Sequence, residues 1–183
     1  SGLGAELYAC DLTDQAQLQH LCDSIIRRHS SLRAIIHNAS EWLPDNTAVA
    51  ADIMQRMMQI HVSAPYQINL ALSPLLQASS ATHADIIHIG DYVSSRGSKN
   101  HIAYAASKAA QDNLTLSFAA RLAPKVKVNS LAPALLLFNE GDDEAYRINL
   151  RYNVFPAILG RVCARPCEAE CRHGWDGLGE PVA

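Results

Sequence analysis

Apolar positions along this chain recur with a helical period in some stretches and run together without one in others. Leu18, Leu21, Cys22, Ile25 and Ile26 fall at i, i+3, i+4, i+7 and i+8, the spacing of one helix face. Thr13 precedes that run as its expected N-cap, and Ser30-Ser31 breaks it. Ile53, Met57, Ile60 and Ala64 mark one side of a longer helical stretch from Ala48 to about Gln77, with Pro65 inside it as a local bend. This stripe is expected to serve core or subunit contact. A further helix is predicted from about Ile102 to Leu122, and a short one over Asp142–Asn149. Between them lie four short runs, Glu6–Cys10, Arg33–His37, Asp85–Gly90 and Val126–Leu131, which read as strands. Arg33–His37 and Asp85–Gly90 lack alternation, which predicts strands buried on both faces of a parallel sheet.

Strand and helix alternate, the pattern of an α/β fold. Sites in such sheets form beyond the carboxyl ends of the strands. Those ends carry Asp11, Asn38, Asp91 and Pro133, which are expected to converge with Tyr104 and Lys108.

Composition narrows the function classes. The 183 residues are 49% apolar with a net charge of -3, which predicts one globular domain and argues against a nucleic-acid partner. No apolar run approaches the roughly 18 residues of a membrane span. No basic-then-apolar leader is seen, so a cytoplasmic location is expected, with Cys10 and Cys22 as reduced core thiols. The texture changes near residue 151, dividing the chain into 1–150 and an atypical tail, 151–183. Cys163, Cys167, Cys171 and His173 are zinc-ligand types, but their spacing lacks a C-x-x-C pair and no metal is expected.

The densest chemistry is Tyr104-Ala-Ala-Ser-Lys108, with Asp91 thirteen residues upstream. On a helix the phenol and the amine stand one turn apart on a shared face. An ammonium beside a phenol favours the phenolate, so the tyrosine is expected to titrate below its usual value and exchange protons near neutral pH. The bland alternatives are a solvated i,i+4 pair for Tyr104 and Lys108, and a turn cap for Asp91.

Asp11-Leu12, His37-Asn38-Ala39-Ser40, Tyr104 to Lys108 and Asn129-Ser-Leu-Ala-Pro133 stand in an order and spacing that resemble the short-chain dehydrogenase/reductase family over residues 5–140. The resemblance implies a Rossmann-like, doubly wound parallel sheet and a nicotinamide cofactor. Asp11 and Leu12 would meet its adenine end, Asn38 and Ala39 would border a ribose, Lys108 would bind the nicotinamide ribose, and Pro133 and Ala134 would face the nicotinamide. Three departures, Asp91 for the usual serine, Ser40 for glycine, and Trp42 just beyond, resemble the pteridine reductases of that family. That branch implies NADPH-dependent reduction of a dihydropterin such as dihydromonapterin or dihydrofolate, with hydride added at C6 and a proton at N5. Asp91 and Tyr104 would handle the proton, Ser40 would bond the pterin edge, and Trp42 would stack on the ring. Other readings stay open: Asp11 as a helix cap, Trp42 as a core or interface aromatic, and His61 as a proton-relay group or a core histidine. So do a different carbonyl or imine substrate, and a remnant that binds no dinucleotide.

The family's opening strand and glycine-rich turn are not recognisable around Ser1-Gly-Leu-Gly4, nor its last strand after residue 150. An incomplete sheet is therefore expected, with Glu6–Cys10 lacking a neighbour and Ala34–His37 an open apolar edge. The resemblance also implies a homotetramer, joined through the long helix and the Tyr104 helix.

Overall fold

Asp14, not Thr13, begins the first helix. Its carboxylate accepts from the backbone N–H groups of Ala16 (2.9 Å) and Gln17 (3.1 Å), satisfying two donors of the first turn. Thr13 instead donates its hydroxyl and its N–H to Asp11. The helix, α1, spans Gln15–Arg28 and buries Leu18 and Cys22, the centre of the predicted face; Ile26 at its margin is exposed. This computed structural model describes residues 5–132. Pro133, Ala134, the predicted helix at Asp142–Asn149 and the cysteine-bearing tail lie outside them. The chain divides into two units, Ser1–Ala134 and Leu135–Ala183, and every described residue falls in the first.

After α1 come β1 (Ala34–His37), α2 (Ala50–Met58), α3 (Ala64–Gln77), β2 (Ala84–Ile89), a one-turn α4 (Val93–Arg96), α5 (Ile102–Leu122) and β3 (Val126–Leu131). The strands form a parallel sheet ordered β1-β2-β3, with Ile35 opposite Ile86 and Ile86 opposite Val128. The architecture is α/β and Rossmann-like, as the alternation of strand and helix predicts. The expected strand at Glu6–Cys10 does not form. A strand exists only through ladder bonds to a neighbour, none of the described strands pairs with it, and Leu7 stands 94% exposed.

The long apolar stretch is two α-helices joined by a π turn, Gln59–Ser63, rather than one helix bent at Pro65. Pro65 has no N–H to offer the carbonyl of His61 four residues back. That carbonyl instead accepts from the side-chain amide of Gln111 on α5 at 3.2 Å. Ile53, Met57, Ile60 and Ala64 are all buried, so the predicted stripe is core.

Leu76 of α3, Phe118 and Leu122 of α5, and Ala84, Ile86, Val126 and Val128 of the sheet form one apolar cluster. Both helices therefore cover the same face. Burial alternates along β2, and on β1 Ala34 and Ile36 are exposed, so the expectation of strands buried on both faces fails. Burying a strand twice requires a layer on each side, and the described helices supply one. β1 is an apolar sheet edge among the described residues, with Ile36 57% exposed.

Candidate active site

Parallel strands end on one side of a sheet, and here those ends bring the chemistry together. Asp91 follows β2 by two residues, and Gly90 between them donates its N–H to the Leu131 carbonyl at the end of β3 (2.7 Å). A Cβ at Gly90 would stand 2.6 Å from the Ser130 hydroxyl, so the glycine permits this close approach. α5 starts above the same edge. Its first turn has no cap from His101, and Asp45 supplies one from a distant loop, accepting from the N–H of Ile102 at 2.7 Å and of Ala103 at 3.4 Å. Ala103 and Tyr104 pack with Ile53 and Met57 of α2, which fixes the start of α5 against the long helix.

Held in this way, Tyr104 donates its hydroxyl to Asp91 Oδ2 at 2.8 Å. The other Asp91 oxygen accepts from the N–H of Val93 at 3.2 Å, so Asp91 caps its turn as well as meeting the tyrosine. Lys108 is 3% exposed and its Nζ lies 5.7 Å from the Tyr104 ring centroid. It donates to the Ile89 carbonyl (2.8 Å) and to Gln111 Oε1 (3.3 Å). An ammonium has three N–H groups; these two bonds leave one for a ligand hydroxyl.

The electrostatics reverse the expectation for Tyr104. Burial, then the negative charge of Asp91 and the hydrogen bond to it, push the phenol well above its usual value; the neighbouring Ser40 hydroxyl only partly offsets this. The carboxylate, not the ammonium, reaches the hydroxyl, so the phenol keeps its proton. Burial lowers Lys108 to about 8, against the opposing pull of Asp91 and Asp112. His61 is completely buried and held near 4, first by desolvation and then by the Lys108 charge, with Glu41 opposing.

The remaining predicted positions are less tightly gathered. Ser40 bonds His61 at 2.9 Å. Asn38 and Ala39 are exposed directly after β1. Trp42 is half-exposed and stacks on His101, ring centroids 4.3 Å apart. Asp11 is engaged with Thr13, and the Leu12 carbonyl accepts from Gln59 at 3.1 Å. Arg56, paired with Glu41 through two bonds, lies within electrostatic reach of Asp11. Ser107, Gln111 and Asp45 escaped the sequence reading. Ser107 and Gln111 follow Tyr104 and Lys108 by three residues each, a spacing that marks them as neighbours on a helix face; Asp45 carries no such local signal. The described residues contain no cluster of three or more metal-ligand side chains and no helix long and apolar enough to cross a membrane.

A parallel α/β sheet with Asp, Tyr and Lys gathered at its carboxyl edge matches known proteins. The family model for short chain dehydrogenases matches residues 2–142, and the chain belongs to the short-chain dehydrogenase/reductase family. It is 52% identical over 145 residues to the dihydromonapterin reductase of Klebsiella pneumoniae, covering 79% of this chain and 60% of that protein. The chain thus spans about three-fifths of the curated relative's length. A short-chain dehydrogenase/reductase from Burkholderia xenovorans superposes with a TM-score of 0.61 at 29% identity, over 70% of this chain and 56% of the other. A short chain dehydrogenase from Shigella flexneri, solved with NADP, gives 0.58 at 26%, over 70% and 53%.

Proposed function

We propose that this chain carries the proton-handling part of an NADPH-dependent dihydropterin reductase, residues 1–150 forming the reductase portion and 151–183 a separate tail. The observation that carries the reading is the 2.8 Å bond from the Tyr104 hydroxyl to Asp91, with a buried lysine one turn away, in a chain half identical to a dihydromonapterin reductase. The substrate would be a dihydropterin, dihydromonapterin or dihydrofolate, reduced to its tetrahydro form in the cytoplasm.

The residues fit one end of the cofactor. Lys108 has an N–H to give a ribose hydroxyl, and exposed Asn38 and Ala39 border the same strand edge. Asp11 and Leu12 would lie toward the adenine, and Pro133 and Ala134 toward the nicotinamide. NADPH, when bound, supplies the hydride for C6. The chain's own residues deliver the proton to N5. Asp91, half-buried, is the group that faces the substrate nitrogen, and Tyr104 holds it in place by donating to one oxygen. Because the phenol stays protonated, Tyr104 orients the Asp91 carboxyl without giving up its proton, and Asp91 passes to N5 a proton taken from solvent water. Ser40 bonds the pterin edge and Trp42 supplies a flat apolar surface for the ring. The working form is a homo-oligomer built on α3 and α5, whose Tyr66 and Leu116 are exposed.

Asp91→Ala and Tyr104→Phe test the assignment. Each should lower dihydropterin reduction by roughly 100-fold or more, the usual worth of a positioned proton donor, with NADPH affinity little changed in a fluorescence titration. Full activity in either variant would refute the proton route. A panel of pterins, ketones and quinones separates this reading from a reductase of another carbonyl or imine, and no measurable NADPH binding would support an inactive remnant.

A further inference from the structure

Four groups in a row connect Ser40 to the backbone of α5, and each bond fixes the direction of the next. Ser107 Oγ lies 2.7 Å from the carbonyl oxygen of Tyr104. A carbonyl can only accept, and two acceptors at that distance would repel, so the single hydroxyl proton of Ser107 is spent there. Ser107 Oγ also lies 2.8 Å from His61 Nδ1. Having no proton left, it must accept, so His61 carries its proton on Nδ1. His61 Nε2 is then bare, and it lies 2.9 Å from Ser40 Oγ. Ser40 must therefore donate to it.

Two consequences follow. The string ends on a carbonyl, which has no proton to give, so it cannot relay protons to the site. Its effect is to set polarity. With its one proton given to His61, Ser40 can only accept on its remaining side. Ser40 is close enough to Tyr104 to influence its titration, yet Tyr104 has already given its own proton to Asp91. The lone pairs of Ser40 thus remain available to a donor from outside the chain.

We propose that His61, a positioning residue, locks Ser40 as a hydrogen-bond acceptor, and that the site thereby selects ligands presenting an N–H at Ser40. This rests on the dihydropterin reading for the class of ligand, a heterocycle with several N–H groups. A carbonyl or ether oxygen at the same place would meet lone pairs and be rejected.

Two measurements on the full chain test it. Long-range proton–nitrogen NMR, with His61 assigned by comparison with His61→Asn, should show the neutral Nδ1–H tautomer at pH 7. An Nε2–H tautomer overturns the proposal whether or not any pterin binds. Second, binding is titrated with 7,8-dihydropterin and with derivatives methylated in turn at each N–H. One derivative should bind about tenfold more weakly, the upper worth of a single neutral hydrogen bond. That penalty should fall below about twofold in Ser40→Ala. In His61→Asn, whose amide can either accept or donate, it should shrink while binding persists. Equal binding of all derivatives to the unsubstituted chain, or an undiminished penalty in folded His61→Asn, overturns the selectivity. No binding of any pterin together with the Nδ1–H tautomer sinks the dihydropterin reading and the ligand half of this proposal, and upholds the wiring of His61 and Ser40.

Discussion

Two buried histidines should make the stability of this protein depend on pH below neutrality. His61 and His88 are both completely buried and each is lowered to about 4, chiefly by burial; Lys108 adds to this at His61 against the pull of Glu41, and His37 and then Lys108 add to it at His88. Each is hydrogen-bonded as a neutral ring, His88 to Thr115 at 2.7 Å and to Asn69 at 3.3 Å. In the unfolded chain a histidine titrates near 6.5. As pH falls below that value the unfolded state takes up protons that the folded state refuses, so stability is lost until the folded histidines titrate. Above about pH 6.5 neither state is charged at these sites and the penalty vanishes. Denaturant titrations should therefore show stability flat from pH 8 to 7 and falling between about pH 6.5 and 4, by on the order of 2–3 kcal/mol per histidine. His88→Asn should make that fall shallower. A stability unchanged between pH 7 and 5 would mean that both rings already ionise in the fold. The sequence made Tyr104 and Lys108 legible as a pair because helix spacing is local. The direction of the Tyr104 shift was not legible, because it depends on whether Asp91 or Lys108 reaches the hydroxyl.

At the scale of elements, the start of α5 matters most, because it carries Tyr104. The cap comes from Asp45, 57 residues away, and satisfies N–H groups that His101 leaves open. Asp45→Ala should cost about 1 kcal/mol, the usual worth of a cap. It should also loosen the first turn and lower dihydropterin reduction by more than the stability loss explains. Hydrogen exchange at Ile102 and Ala103 reads this directly: unchanged protection in the variant would show that the turn does not rely on Asp45. Leu76→Ala is the contrasting case. Leu76 is wholly buried between α3 and the sheet, so its truncation should cost about 2–5 kcal/mol in chemical denaturation without altering the pH dependence of the site. Periodicity located the first two long helical stretches, since each has a buried face at a helical repeat. It could not locate the π turn at Gln59–Ser63, which arises from what Pro65 withholds and Gln111 provides, two residues far apart in sequence. The strand expected at Glu6–Cys10 failed for a related reason: an extended run becomes a strand only where a partner offers its ladder, and a run read alone does not disclose its partner.

For the whole molecule, the decisive feature is a sheet whose described layers lie on one face. Ile36 is 57% exposed on β1, beside backbone groups with no described strand to pair with, and Ala34 is exposed on the same side. A flat apolar edge of this kind templates pairing with other chains, and its exposed branched side chain offers little to resist it. A lysine there would keep the strand while charging its open face. Ile36→Lys should leave the unfolding free energy within about 0.5 kcal/mol, as expected for an exposed position, and should reduce concentration-dependent aggregation in light scattering. The two readouts together separate the possibilities. If the substitution destabilises the fold by about 2 kcal/mol or more, Ile36 is covered in solution by another segment or another copy, and the face is an interface. If neither stability nor aggregation changes, the edge is not where chains associate, and the proposed oligomer must form through the exposed Tyr66 and Leu116 of α3 and α5. Leu116→Arg then becomes the informative variant, with a shift toward smaller species expected in sedimentation velocity.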